Sequence, residues 1–282
     1  MNHIILGAGK FSHVHVRVLA EFNINDMIIC KRSEWLDSQR NLFTTQHPTQ
    51  TFSFRNQLDI DAYQNSIVHV VTTSDQHLNN MLDVYKYATA IFVEKPAVLL
   101  HNNSTCEQIN ILKTQCNIPI YHNDWLAGLY NHLSTKRRPT AIHFNYDVAN
   151  NDPELDPITE IASHSCNLLS LWVLPQEQMT VTLFEKTTNR LKIRLQFSND
   201  LELYITLSHG IVAKSAWQCL IDTEEFSNIS LGGQLLSSAF DRVINNKSSL
   251  TDWYNASWLI CKLRMYDEQL KFNSLIDKWY IV

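Results

Sequence analysis

Over the first 120 residues, short continuous apolar runs alternate with stretches in which apolar residues recur every third or fourth position. The continuous runs, at 3–6, 27–30, 67–71, 90–93 and 118–121, are those expected of strands buried on both faces. Helical spacing covers 11–22, 77–87 and 106–114, and 49–54 is a candidate for one further strand. Strand–helix–strand alternation of this kind predicts a doubly wound parallel sheet covered by helices on both faces. Ligands bind such a sheet beyond the C-terminal ends of its strands.

The pattern changes between 134 and 157, where "STKRRPT" and "NNDPELDP" flank a strand expected at 141–146. A helix is expected over 158–173. Long alternating runs follow at 179–184, 191–197, 201–207 and 215–221, with "SND" at 198–200 suited to a hairpin turn. Helical segments at 234–245 and 253–270 close the chain. The fold class is therefore α/β: a Rossmann-type domain over 1–123, then an α+β domain over 124–282 with a mostly antiparallel sheet.

Length and composition add limits. The chain has 282 residues and 45% hydrophobic content, which favours two cores over one. A net charge of −5 argues against a nucleic-acid or membrane surface. Lys136-Arg137-Arg138 is the longest basic run and reads as a solvated loop. Six scattered cysteines without a Cys-x-x-Cys pair, and no apolar run of membrane length, point to a cytoplasmic protein with reduced thiols. No His, Cys and carboxylate cluster has metal spacing, so no metal is expected.

Candidate chemistry begins at "HIILGAGKFSHVHVRVL". Gly7-Ala8-Gly9 follows a strand and opens a helix, as in the dinucleotide fingerprint G-x-G-x-x-G, except that Ser12 takes the third glycine position. The first glycine makes a tight turn, the second admits a pyrophosphate, and a small third residue permits helix–strand packing. The chain has only six glycines, and two of them stand within these three residues. At the end of the second strand, where a carboxylate would hold the ribose 2′-hydroxyl of NAD, the chain has Lys31, Arg32 and Ser33. Two cations and a hydroxyl suit a 2′-phosphate, so NADP(H) is the expected cofactor, with NAD(H) as the alternative.

The fifth strand, "AIFV", ends in Glu94-Lys95-Pro96. A lysine at that edge would lie beside the nicotinamide, able to hydrogen-bond a substrate oxygen or move its proton. Pro96 sets the following turn, and the Lys95–Pro96 bond is a candidate for cis. Glu94 reads as a group that orients the loop or pairs locally. In "EIASHSCN", Glu160, His164 and Asn167 stand four and three residues apart on one helical face, where a carboxylate can orient an imidazole.

These stretches together resemble the Gfo/Idh/MocA family of NAD(P)-dependent oxidoreductases. The likeness rests on "GAGKFSHVHVRVL" at 7–19, "VVTTSDQH" at 70–77, "FVEKPA" at 92–97 and "EIASHSCN" at 160–167. It implies cofactor contacts from Gly7, Gly9, Lys10, Phe11, Thr72, Thr73, His77, Glu94 and Lys95, in addition to the basic loop. It implies an active-site lysine at Lys95 and a catalytic or substrate-binding histidine at His164, with Glu160 assisting. The family pattern Asp-x-x-x-His-x-x-Asp is altered here to Glu160 and Asn167. His122, Asn123 and Asp124 follow the sixth strand and, with Asn167, are candidate substrate contacts. His15 and His77 match histidine positions of the family and are expected to pack or cap; His3, His69 and His143 are expected to be structural. The resemblance implies hydride transfer to or from a sugar, nucleotide-sugar, cyclitol or imine carbon in a homo-oligomer such as a dimer. The competing expectation is a non-catalytic NADP-binding regulator.

Overall fold

The computed structural model describes residues 1–267 except 32, 100–102, 124, 150–157, 159–161, 175–176, 188, 211, 213, 232, 246 and 249–251. Arg32, Asp124 and Glu160 thus lie outside the described residues. The chain divides into two compact units. One holds Met1–Asn123 and Phe240–Ser249, the other Asp124–Ala239 and Leu250–Ile276.

The first unit is built on six parallel strands: β1 (Asn2–Leu6), β2 (Asp26–Cys30), β3 (Thr51–Arg55), β4 (Ser66–Val70), β5 (Ala90–Val93) and β6 (Ile120–His122). Their order is β3-β2-β1-β4-β5-β6, the doubly wound Rossmann arrangement. Every residue of β4 and β5 is buried, as the unbroken apolar runs require. The helices are α1 (Lys10–Glu21), α2 (Asp37–Gln46), α3 (Ile60–Tyr63), α4 (His77–Val84) and α5 (Asn103–Gln115). α1 buries Ser12, His15, Val16, Val18 and Leu19, the stripe its spacing predicts.

Two helices escape the sequence pattern. α2 buries only Phe43, so it carries one apolar anchor and no stripe. α3 is a single turn with no buried residue. β6 begins two residues later than the apolar run suggests, because Ile118 and Pro119 lead into it and Pro119 contributes only its carbonyl, to the Ile91 N–H at 3.0 Å.

The second unit carries β7 (Ala141–Val148), β8 (Met179–Lys186), β9 (Arg190–Phe197), β10 (Glu202–His209), β11 (Ala216–Ile221) and β12 (Glu224–Ser227), ordered β12-β11-β7-β10-β9-β8. All its pairs are antiparallel except β7 with β10. The hairpin at 198–200 forms as expected, with Asp200 at φ 61°. β9 alternates buried Leu191, Ile193, Leu195 and Phe197 with more exposed residues, so one face of the sheet is apolar. The remaining helices are α6 (Ser163–Leu169), α7 (Asn228–Leu231), α8 (Gln234–Ile244) and α9 (Trp253–Asp267). α6 packs on α9 and on a 3₁₀ segment, Trp125–His132. Trp258 of α9 is fully buried. The basic run at 136–138 is not simply solvated. Arg138 forks onto Glu177 at 2.9 and 2.7 Å and donates to the Trp172 carbonyl at 2.8 Å.

The parallel ladder continues one residue past each strand at its C-terminal edge. Gly7 N–H donates to Cys30 O (2.8 Å), Val71 to Leu6 (2.9 Å), Glu94 to Val70 (3.0 Å) and Asn123 to Val93 (2.8 Å). The edge therefore aligns Gly7, Val71, Glu94 and Asn123 from four separate segments. Gly7 adopts φ +128°, and a Cβ there would stand 2.6 Å from the Val71 carbonyl oxygen. At Gly9 a Cβ would meet nothing within 4 Å. Gly7→Ala is expected to cost about 2–3 kcal/mol in urea denaturation, and Gly9→Ala no more than about 0.5 kcal/mol. Equal costs at the two positions would contradict the assignment of Gly7 as the strained turn.

Candidate functional site

A cleft of about 1010 Å³ opens at the C-terminal ends of β1, β2 and β4. It lies where the strand order reverses, the place at which such sheets bind ligands. Eight sequence-predicted residues line it: Gly7, Gly9, Lys10 and Phe11 from the first turn, Lys31 and Ser33 after β2, and Thr72 and Thr73 after β4. Gly9 is the N-cap of α1, and no side chain caps that helix end. An uncapped helix N-terminus beside open space offers backbone N–H donors and a positive dipole to an anion. Ser12 is fully buried, small enough for α1 to pack on the sheet, and its hydroxyl has no hydrogen-bond partner among the described residues.

The Lys31 ammonium is held in place. It bonds to the Gln39 side-chain oxygen and stands 4.9 Å over the Trp35 ring. Asn56 and Tyr63 also line the cleft, as does Asn80, which donates to Thr72 Oγ1 at 2.8 Å. Pattern analysis missed all three. Asn80 was legible in principle, standing one turn after His77 on α4; Asn56, outside any element, and Tyr63, in the single turn of α3, carry no periodic signal.

After β5, the Lys95–Pro96 peptide is cis. Lys95 is 9% exposed and its ammonium lies 5.9 Å from the Phe11 ring centre. Glu94 does not line the cleft. Its carboxylate is buried and accepts hydrogen bonds from His15 Nε2 (2.7 Å) and Asn123 Nδ2 (2.6 Å). Burial alone would raise its pKa, but the hydrogen bond and charge of His15, with Asn123 and Lys95, hold it at about 2. His77 is buried behind the loop, its Nδ1 2.8 Å from the Pro96 carbonyl oxygen and its Nε2 3.0 Å from that of Thr72. The ring thereby ties the ends of β4 and β5 together. His122, at the end of β6, is buried, and neither ring nitrogen has a hydrogen-bond partner among the described residues. Burial pulls its pKa down to about 3; Glu94 opposes this, and His77 and Lys95 add to it.

His15 does more than pack. Its Nδ1 lies 3.1 Å from His69 Nδ1, and His69 Nε2 lies 2.9 Å from His3 Nδ1. Phe240 covers this cluster, with its ring centre 4.8 Å from those of His15 and Phe92. Burial drives the His69 pKa well down, aided by His15 and His3, and lowers that of His3 to about 4, aided by the chain's N-terminal ammonium.

In the second unit, α6 carries both His164 and Asn167, and both are buried. The Trp125 ring lies 4.8 Å from that of His164, with Tyr146 at 6.2 Å, and Trp217 lies 5.5 Å from Trp125. This aromatic surround was not legible from spacing, because the three aromatic residues come from separate segments.

Neither a protein-family model nor a curated protein matches the sequence. Solved structures do. The WlbA (WbpB) dehydrogenase from Thermus thermophilus, in complex with NAD and UDP-GlcNAcA, superposes with a TM-score of 0.69 at 14% identity, covering 94% of this chain and 95% of that one. UDP-N-acetylglucosamine 3-dehydrogenase GnnA from Acidithiobacillus ferrooxidans gives 0.69 at 10% identity, covering 98% and 99%. The myo-inositol dehydrogenase from Lactobacillus casei, in complex with NAD(H) and myo-inositol, gives 0.69 at 12% identity, covering 95% of each chain. At these identities the likeness shows the fold: a Rossmann-like parallel sheet followed by a mostly antiparallel one.

The buried imidazoles set an acid limit on stability. His3, His69 and His122 are neutral in the fold but regain an ordinary pKa of 6.5 once unfolded. Below pH 6.5 the unfolded chain therefore binds more protons than the fold, so stability rises with pH through this window and falls as the pH drops towards about 4. Three such rings predict a slope of roughly 4 kcal/mol per pH unit in its steep part. Glu94 adds a second loss at lower pH, between 4.5 and about 2. Urea denaturation across this range checks the prediction; stability unchanged from about pH 7 to about pH 5 would mean that the rings are charged in the fold.

Proposed function

We propose that this chain is an NAD(P)-dependent oxidoreductase of the Gfo/Idh/MocA type, with NADP(H) as its preferred cofactor. It would act on a carbonyl or alcohol carbon of a sugar, nucleotide-sugar or cyclitol. The observation that carries the proposal is the cleft at the switch point, bounded by a strained Gly7, an open Gly9 and an uncapped α1; Lys95, at the end of β5, does not line it, and its ammonium lies 5.9 Å from the ring of Phe11, which does. The residues present fit a dinucleotide: helix N–H groups for the pyrophosphate, Lys31 and Ser33 for a 2′-phosphate, and Thr72 and Thr73 along the cleft wall. The three solved dehydrogenases of this fold support the substrate class, since their bound or named ligands are nucleotide-sugars and a cyclitol.

Bound in the cleft, the nicotinamide would supply or accept the hydride. Lys95 holds the substrate oxygen and gives or takes its proton. Glu94 keeps the Lys95 turn in place through His15 and Asn123. His122, buried and without a hydrogen-bond partner among the described residues, has two ring nitrogens to offer a ligand. His164, with Glu160 four residues before it in the sequence, would be the assisting acid or base, and Asn167 and Asp124 further substrate contacts. A second reading, cofactor sensing without turnover, is favoured by one observation: Trp125 and Tyr146 crowd His164.

Cofactor choice is tested by titration. NADPH is expected to bind more tightly than NADH, and the double variant Lys31→Ala, Arg32→Ala to lose that preference, worth about 1–3 kcal/mol. Equal affinities in the unaltered protein would remove the NADP assignment. Turnover is tested with Lys95→Met and a panel of UDP-sugars and inositols. The variant is expected to fold, bind NADPH and lose about 10²–10⁴-fold in rate. Near-normal turnover would give Lys95 a structural role, and no turnover of any panel member by the unaltered protein would favour sensing.

A further inference from the structure

We propose that Gln39 and Trp35 set the cofactor preference of this chain without meeting the cofactor themselves. They hold the Lys31 ammonium, oriented but not neutralised, for the 2′-phosphate of NADP(H). The inference rests on the NADP(H) reading given above and deepens it. Lys31 lines the cleft, and neither Gln39 nor Trp35 does. All three belong to the short segment that leaves β2 and enters α2.

This segment is closed at two points. The Arg55 carbonyl, at the end of β3, accepts the Lys31 backbone N–H at 3.2 Å and the Trp35 indole N–H at 2.9 Å. One carbonyl thus fixes both ends of the stretch from Lys31 to Trp35. The Trp35 ring is 8% exposed and meets the rings of Phe54 and Phe43 edge-on, with centres 4.8 and 6.1 Å away. It cannot swing from under the Lys31 ammonium, 4.9 Å away, without breaking that packing. Gln39 is the third residue of α2. Its side-chain oxygen accepts the Leu36 backbone N–H at 3.3 Å as well as the Lys31 ammonium. The helix start therefore holds the oxygen that holds the lysine. α2 buries only Phe43, yet its first turn supplies this contact.

Both groups that hold Lys31 are uncharged. Among the described residues no carboxylate forms an ion pair with it, although Glu34 and Asp37 stand in the same segment. A carbonyl oxygen and a ring face orient an ammonium and leave its net charge intact. A carboxylate would cancel much of that charge before any anion arrived. An ammonium has three donors, and Gln39 takes one of them, which leaves donors for a phosphate oxygen. A free lysine is a flexible point charge with much rotamer freedom to lose when it meets an anion. Held in advance it loses less, so more of the phosphate contact appears as affinity. NADH carries a hydroxyl in place of the phosphate and gains little from the same ammonium. Gln39 and Trp35 therefore act on the difference between the two cofactors, as positioning residues.

The test compares ligands that differ only at the 2′ position: NADPH with NADH, and 2′,5′-ADP with 5′-AMP. The second pair lacks nicotinamide and reports on this end of the cleft alone. Gln39→Glu is the central variant. A glutamate at the third helical position keeps the contact to the Leu36 N–H and suits the helix start, so the fold is retained. It also pairs with Lys31 and sets a negative charge against the phosphate. Affinity for NADPH and 2′,5′-ADP is expected to fall by about tenfold or more, while NADH, 5′-AMP and the urea midpoint stay nearly unchanged. Gln39→Met removes the acceptor without adding charge and is expected to cost about twofold to tenfold, for the phosphorylated ligands alone. Trp35→Leu is expected to act in the same direction; if it does not fold, the two Gln39 variants carry the test. Equal loss for both members of a pair would mean a merely structural role and overturns the proposal. If Lys31→Ala abolishes a preference that Gln39→Glu retains, the NADP(H) reading stands and this inference falls. No preference in the unaltered protein removes both.

Discussion

A carboxylate placed 4% exposed at the end of a buried strand cannot stay ionised without partners, and Glu94 sets this constraint on the whole first unit. Its partners come from α1, through His15, and from the residue after β6, through Asn123. Removing one partner of a buried pair of this kind typically costs about 3–5 kcal/mol, because the remaining charge is stranded. One oxygen thereby ties together the first helix, the fifth strand and the sixth. The same bonds keep the residue before Lys95 from turning.

The cleft depends on a second constraint, the close approach of two backbones. Gly7 N–H is bonded to Cys30, and its α-carbon lies against the Val71 carbonyl, so the end of β1 is wedged between its neighbours β2 and β4. Only glycine suits both that approach and a φ of +128°. Two residues later the chain faces open space at Gly9, and α1 begins uncapped. Tight packing behind and emptiness in front are what make a helix N-terminus available to an anion rather than to the protein itself.

In the second unit the apolar face of the sheet and the buried α6 place His164 among aromatic rings. A neutral or charged imidazole is stabilised by different neighbours: ring faces attract a cation, whereas burial disfavours one.

The parallel sheet, its helices α1, α4 and α5, and the alternating strands of the second sheet were legible in the sequence because burial on one or both faces leaves a period of its own. Gly7-Ala8-Gly9 and Glu94-Lys95-Pro96 were legible for a different reason: local backbone geometry demands particular residue types there. α2 left no stripe because a single Phe43 anchors it. The parallel pairing of β7 with β10 left none because alternation is the same in either direction. The role of Glu94 was hidden for a stronger reason. His15 and Glu94 stand 79 residues apart, and His3 and His69 66 apart, and a hydrogen bond imposes no periodicity on the chain between its ends. Sequence decided which elements form and where the chain turns, since both are local. Only the tertiary structure decided which buried polar groups satisfy one another, since that depends on which strands lie side by side.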